Sequence, residues 1–163
     1  MIPVTIWLTG RSGVGKTTIA LELKRRFQTT SNKIQILDGD EVRGTICAGL
    51  GFSRADRIEN NRRITYMAEL LKRNEISTIV AAISPYSEAR DLARMILSPH
   101  FYEIYVTCTP ETLEQRDPKG LYAKGIVTTT DEYEIPTQPD LIINTSICTV
   151  NEAIFQIQLL TKI

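Results

Sequence analysis

The chain has 163 residues, its 19 lysines and arginines balance 19 aspartates and glutamates, and 42% of its residues are hydrophobic. That length points to one domain, residues 1–163, able to bury a substantial core. Formal neutrality argues against a nucleic-acid partner, which calls for a basic excess.

No apolar run is long enough to cross a bilayer, and the opening MIPVTIWLTG lacks the basic stretch and cleavage site of a signal peptide. Cys47, Cys108 and Cys148 are odd in number and form no C-x-x-C pair, so reduced thiols in the cytoplasm are expected rather than disulfides or zinc. The single histidine, His100, follows Ser98-Pro99 and reads as a loop residue, which leaves no set of ligands for a metal site built from protein alone.

Taken in chain order, Val4 to Thr9 reads as a buried strand and Lys16 to Phe27 as a helix with Ile19, Leu23 and Phe27 on one face. Ile34 to Leu37 is a second strand, and Arg57 to Arg73 a long helix with Ile64, Met67, Ala68 and Leu71 at helical spacing. The nearly continuous apolar run Ile76 to Ser84 suits a central parallel strand covered on both faces. A helix over Glu88 to Leu97, a strand over Phe101 to Cys108 and a short helix over Pro110 to Arg116 follow, the last with proline in its first turn. Leu141 to Asn144 is a fifth strand and Val150 to Leu160 a closing helix. Strands alternating with helices imply a parallel sheet with helices on both faces. Asp117 to Pro139 has little periodicity, as expected of a functional lid.

The segment GRSGVGKTT, Gly10 to Thr18, fits G-x-x-x-x-G-K-[ST] between a predicted strand and a predicted helix, which makes the fold a P-loop NTPase α/β sandwich with a five-stranded parallel sheet. Its backbone N–H groups curl around phosphate, and the helix behind adds its positive end. The expected ATP-binding residues are Gly10, Arg11, Ser12, Gly13, Val14, Gly15, Lys16, Thr17 and Thr18, with Lys16 on the β- and γ-phosphates and the Thr17 hydroxyl on Mg²⁺. A GTPase would need N-K-x-D, whereas Asn32 to Gln35 reads NKIQ, and the transporter signature L-S-G-G-Q is absent. The third strand runs into Ser84 rather than an aspartate, so Mg²⁺ would rest on Thr17, phosphates and water, with Asp38 behind them. That pattern suits a kinase of small molecules better than a motor or a switch.

Ligands of such sheets bind at the carboxyl ends of the strands, where Asp38 and Asp40 follow the second strand. A carboxylate there can orient and deprotonate an acceptor hydroxyl; the plainer reading is a turn with a helix cap. Arg43, Arg57 and Asn60 come next, and the last two share a helix face. Arginine suits bidentate contact with phosphate or sulfate, and asparagine a base or hydroxyl. Phe52 is either a stacking platform or a core anchor, and Arg54, Arg62 and Arg63 are left to solvent.

Together GRSGVGKTT, LDGDEVR, LGFSRADRIENNRR, AAISPYSEARDLAR and EQRDPKGLY resemble the adenylylsulfate (APS) kinase family, almost end to end. The resemblance implies ATP-dependent phosphorylation of the 3′-hydroxyl of adenosine 5′-phosphosulfate, giving PAPS for sulfate assimilation, in a protein that forms homodimers. It further implies that Asp40 contacts and activates the 3′-hydroxyl, with Lys16 and Asp38 beside it. Arg43, Arg57 and Asn60 would hold the phosphosulfate and sugar, Phe52 would stack on the acceptor adenine, and Ile83 and Ser84 would line the pocket. Ser84 matches a serine described in the family as a phosphoserine intermediate, but direct in-line transfer makes it a binding residue. Lys119 would begin the lid, Arg116 would sit near ATP, and Cys148 near its adenine.

One departure stands out. Where the family continues after KGLY with a basic lid carrying a second aromatic, Tyr122 here is followed by AKGIVTTTDEYEIP, keeping only the acidic end at Asp131, Tyr133, Glu134 and Pro136. A single ring under the acceptor base would forgo a stack worth about 1–3 kcal/mol. Two alternatives therefore stand beside APS: another nucleotide-linked acceptor, such as cytidine diphosphoramidate in capsule modification, or a binding module without transfer.

Overall fold

The computed structural model describes residues 2–27, 33–117, 120, 123, 124 and 132–162. Five strands, β1 (Thr5–Thr9), β2 (Ile34–Asp38), β3 (Ser77–Ala81), β4 (Phe101–Thr107) and β5 (Leu141–Asn144), form one sheet in the order β2-β3-β1-β4-β5. Every pairing is parallel. Six helices connect them: α1 (Lys16–Phe27), α2 (Gly39–Gly44), α3 (Arg54–Arg73), α4 (Ser87–Leu97), α5 (Pro110–Arg116) and α6 (Val150–Thr161).

Successive side chains of a strand face opposite ways, and the buried residues divide accordingly. Ile6, Leu8, Ile79, Ala81, Ile104 and Val106 pack with Ile19, Leu23 and Phe27 of α1 and Ala153, Ile154 and Ile157 of α6. Trp7, Val80 and Phe101 point the other way, into Ile64 and Ala68 of α3 and Ala93 and Leu97 of α4. The three-layer α/β sandwich expected from the strand–helix alternation is the observed fold. Because β1 lies between β3 and β4, its carboxyl end opens at the centre of the sheet, where ligands of such folds bind.

Most element boundaries fall within one residue of the sequence expectation, and two differ by three residues. Helix α3 starts three residues earlier, at Arg54, because Ser53 caps it: its Oγ accepts the Asp56 N–H at 3.1 Å. Strand β3 ends at Ala81, so Ile83 and Ser84 belong to the loop that follows it. The short helix α2 carries no apolar periodicity and rests on the Asp38 cap. His100 lies outside any element, as expected, and its carbonyl accepts the Thr5 N–H at 2.8 Å. Cys47, Cys108 and Cys148 are free thiols, and among the described residues no helix is long and apolar enough to cross a membrane.

A buried ion pair ties α4 to β4. Arg90 is 2% exposed and Glu103 6%, and Arg90 Nε lies 2.9 Å from Glu103 Oε1. Arg94 reaches the other oxygen, Oε2, at 3.1 Å. Removing one partner of such a pair strands the other charge in a low-dielectric interior. Glu103→Ala is expected to destabilise the fold by about 3–5 kcal/mol, measured by urea denaturation at neutral pH. A loss below about 1 kcal/mol, the range of an exposed pair, would mean that the Arg90 charge is not desolvated.

Candidate active site

The cleft at the carboxyl end of the sheet has a volume of about 1640 Å³ and is lined by the P-loop, Asp38–Asp40, Arg43, Phe52, Arg57, Asn60, Ile83–Pro85 and Thr145–Val150. On its floor, β1 passes into α1 through Gly10, Gly13 and Gly15, at φ values of +153°, +83° and +103°. The first of these is sterically obligatory as well, because a Cβ at Gly10 would stand 2.1 Å from the Val106 carbonyl oxygen. Lys16, 9% exposed, curls over the loop and donates to the carbonyls of Gly10 (2.8 Å) and Arg11 (2.7 Å).

Thr17 and Asp38 meet: the Thr17 hydroxyl donates to Asp38 Oδ2 at 3.0 Å. The other carboxylate oxygen, Oδ1, accepts the Asp40 N–H at 2.9 Å and caps α2. The capping expected of the Asp38-Gly39-Asp40 turn thus falls to Asp38. Asp38 holds the helix start and the P-loop hydroxyl, and Asp40 stands exposed in the first turn of α2, lining the cleft. Gly39 allows this turn to press on β3, since a Cβ there would meet Ala82 Cβ at 3.1 Å.

The acceptor wall is built around an aromatic ring. Phe52 is 70% exposed, which excludes a core anchor. Arg43 and Arg57 place their guanidinium carbons 4.7 and 5.6 Å from its centroid, within cation–π range. Each arginine is also fastened to the loop that carries the ring, Arg43 Nη1 to the Gly51 carbonyl (2.8 Å) and Arg57 Nε to the Phe52 carbonyl (2.9 Å). A guanidinium has five donors, so both retain N–H groups for an anion. Behind them Asn60 is 6% exposed, and its Oδ1 is buried without a hydrogen-bond partner. Buried polar atoms are nearly always paired, so this orphan leaves acceptor capacity unused in the cleft wall.

Ser84 is 2% exposed, at a φ of +49°, with its Oγ between Trp7 Nε1 (3.0 Å) and Asn61 Oδ1 (3.1 Å). A hydroxyl engaged on both sides is held as a structural part of the pocket. At the opposite end, Arg116 donates to Thr145 Oγ1 (2.9 Å) and its carbonyl (2.8 Å), and the Thr145 hydroxyl donates to the Val14 carbonyl (2.8 Å). Cys148 lines this end of the cleft, and burial pushes its thiol pKa up, so it is a neutral surface at physiological pH. Lys119 lies outside the described residues, as do residues 118, 121, 122 and 125–131 of the predicted lid.

Residues 2–144 match the family described as adenylylsulphate kinase. The chain belongs to the adenylylsulphate kinase family. It is 45% identical over 157 residues to the adenylyl-sulfate kinase of Halothermothrix orenii, covering 92% of this chain and 84% of that one. With the adenylyl-sulfate kinase of a Picosynechococcus strain the identity is 44% over 158 residues, covering 93% and 89%. Among solved structures, the Mycobacterium tuberculosis APS kinase CysC in complex with AMPPNP and APS superposes with a TM-score of 0.91 at 36% identity, covering 99% of this chain and 98% of that one. A hexameric APS kinase from Thiobacillus denitrificans superposes with a TM-score of 0.77 at 33% identity over 98% of this chain and 29% of that one.

Several residues that shape this adenylylsulphate kinase cleft carried no signal in the sequence. Trp7, Asn61 and Arg90 sit in runs that read as core or as a solvated helix face. The far end of the predicted lid corrects the expectation more directly, because residues 132–134 are fastened to the sandwich. Glu134 N–H donates to the Pro85 carbonyl (2.8 Å), and Arg90 Nη2 donates to the Glu134 carbonyl (2.6 Å). The Tyr133 hydroxyl bonds Thr9 Oγ1 (2.8 Å), its ring stacks on Tyr105, and burial raises its pKa. Arg54, expected to serve only solvent, is ion-paired with Glu88 (2.8 Å), Glu134 (3.2 Å) and Glu132 (3.5 Å). Arg62 and Arg63 both pair with Glu59 on their own helix, at 2.6 and 2.8 Å.

The Glu134 carboxylate accepts from the Ser87 hydroxyl and backbone N–H, both at 2.6 Å, at the start of α4. Those bonds, with help from Arg54, lower its pKa from the usual 4.5 to about 2. A depressed folded-state pKa stabilises above the unfolded value and stops doing so as pH falls through the folded one. The stability gap between wild type and Glu134→Gln is therefore expected to be full above about pH 5 and to shrink between pH 4.5 and about 2. Urea denaturation across that series checks it, and a gap independent of pH would remove the charged cap.

Proposed function

We propose that this protein is an adenylylsulfate kinase that transfers the γ-phosphoryl group of ATP to the 3′-hydroxyl of adenosine 5′-phosphosulfate, and that the residues below carry out the transfer. The observation that supports it most is the pairing, in one cleft, of a phosphate cradle at Lys16 and Thr17 with an aromatic wall flanked by two cations, Phe52 between Arg43 and Arg57. A kinase needs the first for ATP, and an acceptor that is both anionic and aromatic needs the second. The structure of a relative holding AMPPNP and APS together gives both ends a precedent.

The steps follow from where the charges lie. The loop N–H groups and Lys16 bind the triphosphate, and the ammonium offsets charge on the β- and γ-phosphate oxygens as the bridging P–O bond breaks. Asp40 accepts the proton of the attacking 3′-hydroxyl as the new P–O bond forms, leaving ADP and the 3′-phosphorylated product. Arg43, Arg57 and Asn60 hold the phosphosulfate and sugar, Phe52 carries the adenine, and Ile83 and Ser84 line the pocket. The Thr17 hydroxyl and the Asp38 carboxylate form an all-oxygen pair 3.0 Å apart beside the P-loop, a donor set suited to Mg²⁺. Among the described residues no cluster of three or more acids, histidines or cysteines could hold an ion alone, so phosphates and water would supply the other ligands. When bound there, Mg²⁺ neutralises phosphate charge and orients the γ-phosphoryl group. Arg116 and Cys148 border the nucleoside of ATP.

Coupled ADP release with ATP and Mg²⁺ tests the reading against APS, cytidine diphosphoramidate and nucleoside monophosphates. Turnover with APS well above the monophosphates is expected; turnover no higher than theirs would end the proposal. Asp40→Asn is expected to lower kcat by at least about a hundredfold while ATP still binds, and retained turnover would remove Asp40 from proton transfer. Phe52→Ala is expected to raise the KM for APS by about tenfold, the equivalent of one base–aromatic stack, with the KM for ATP unchanged; an unaltered acceptor KM would remove the stack.

A further inference from the structure

The hydrogen bonds around Ser84 have a direction set by chemistry. An indole N–H can only donate, so the Ser84 oxygen accepts from Trp7 Nε1 at 3.0 Å. The hydroxyl proton then goes to the other partner of that oxygen, Asn61 Oδ1, at 3.1 Å. An Asn61 amide turned the other way would leave this proton without an acceptor in a site where Trp7, Asn61 and Ser84 are 0%, 2% and 2% exposed. The backbone supports the same arrangement. Ser84 sits in the left-handed region at φ +49°, with its carbonyl held by Arg90 Nη1 at 2.7 Å, while the Asn61 carbonyl accepts from Thr65 Oγ1 at 2.9 Å.

With Oδ1 committed to Ser84, the Asn61 Nδ2 group makes no hydrogen bond to any described residue, and Asn61 lines the cleft beside Asn60. The Asn60 Oδ1 is the buried, unpartnered acceptor already noted. The acceptor end of the cleft therefore holds an oriented N–H donor next to an unsatisfied carbonyl. Satisfying the donor takes a hydrogen-bond acceptor atom on the ligand.

We propose that Trp7, acting through Ser84, locks the Asn61 carboxamide with Nδ2 turned into the cleft, so that Asn61 donates a hydrogen bond to the acceptor nucleotide and Trp7 is its positioning residue. The proposal rests on the kinase reading above and adds to it a specificity-determining donor. The ligand atom is an oxygen of the phosphosulfate group or an acceptor atom of the nucleoside, and both demand the same fixed N–H.

Steady-state kinetics and calorimetry on the full chain test this, using Asn61→Ala, Asn61→Asp, Trp7→Phe and the double variant Trp7→Phe/Asn61→Ala. Asn61→Asp keeps an acceptor for Ser84 and has no N–H; Trp7→Phe keeps the ring and removes the donor that sets the direction. Each single variant is expected to raise the acceptor KM about fivefold to twentyfold, one hydrogen bond in a buried site, with the KM for ATP within about twofold of wild type. Because Trp7 acts through Asn61, the double variant is expected to lose no more than Asn61→Ala alone. Calorimetric titration of APS and of adenosine 5′-phosphate into the ADP-bound protein locates the contact: a defect confined to APS puts it on the sulfate, and an equal defect for both puts it on the nucleotide they share.

An unchanged acceptor KM in Asn61→Asp and Trp7→Phe, additive losses in the double variant, or parallel losses for ATP and acceptor would each overturn the proposal. The last would show a purely structural role. Failure of wild-type protein to phosphorylate APS would instead count against the function reading, and the four variants would then be read with whichever acceptor of the panel is turned over.

Discussion

The guanidinium of Arg90 is the junction on which the site depends. It is 2% exposed and joins the strand behind the cleft through Glu103, the pocket loop through the Ser84 carbonyl, and the segment at residues 132–134 through the Glu134 carbonyl. A charge this deep is tolerated only when fully engaged, so the arrangement is close to all-or-none. With Arg90 in place, Ser84 can hold a left-handed φ and Tyr133 can stack between the sheet and the P-loop side of the cleft. An interior ion pair, a serine at positive φ and the Trp7 indole thus meet beneath this end of the cleft.

Around that rigid base the cleft divides by chemistry. One end presents backbone N–H groups, an ammonium and an acid-held hydroxyl, all suited to triphosphate. The other presents a ring between guanidinium groups and two asparagines. The two ends share Asp38 and Asp40, carried by a turn whose first acid bonds the P-loop threonine and whose second faces the cleft. Helix α2 is short and its N-terminus is set by Asp38, so Asp40 is positioned by the residue that also bonds the P-loop threonine. The two ends of the cleft are thus joined through a few covalent bonds of backbone.

Much of this was legible from residue order. The P-loop is contiguous, so its spacing alone carries its geometry, and every strand came out where an apolar run stood between turn signals. Asp40 could be placed at the cleft from its position after a strand and Arg57 with Asn60 from helix period, whereas Arg43 and Phe52 were placed only by the family resemblance. What escaped was distributed. Trp7, Asn61, Arg90, Glu134 and Arg54 meet across separations of tens of residues, and each has a plausible local reading as core, solvated face or lid. Even the true start of α3 hung on one hydroxyl cap at Ser53 rather than on periodicity.

The sequence by itself determined the sandwich, the phosphate cradle and the family, because those depend on periodicity and on motifs that are contiguous along the chain. Only the tertiary structure decided that Phe52 lies in the open between two guanidinium groups and that Ser84 is bonded on both sides. It also decided that Arg90 and the Pro85 carbonyl together fasten Glu134, and that the Asn61 side-chain oxygen accepts from Ser84. Those outcomes turn on which donors remain unsatisfied after distant segments pack, and hydrogen-bond direction across a folded interior is not a property of any local stretch of chain.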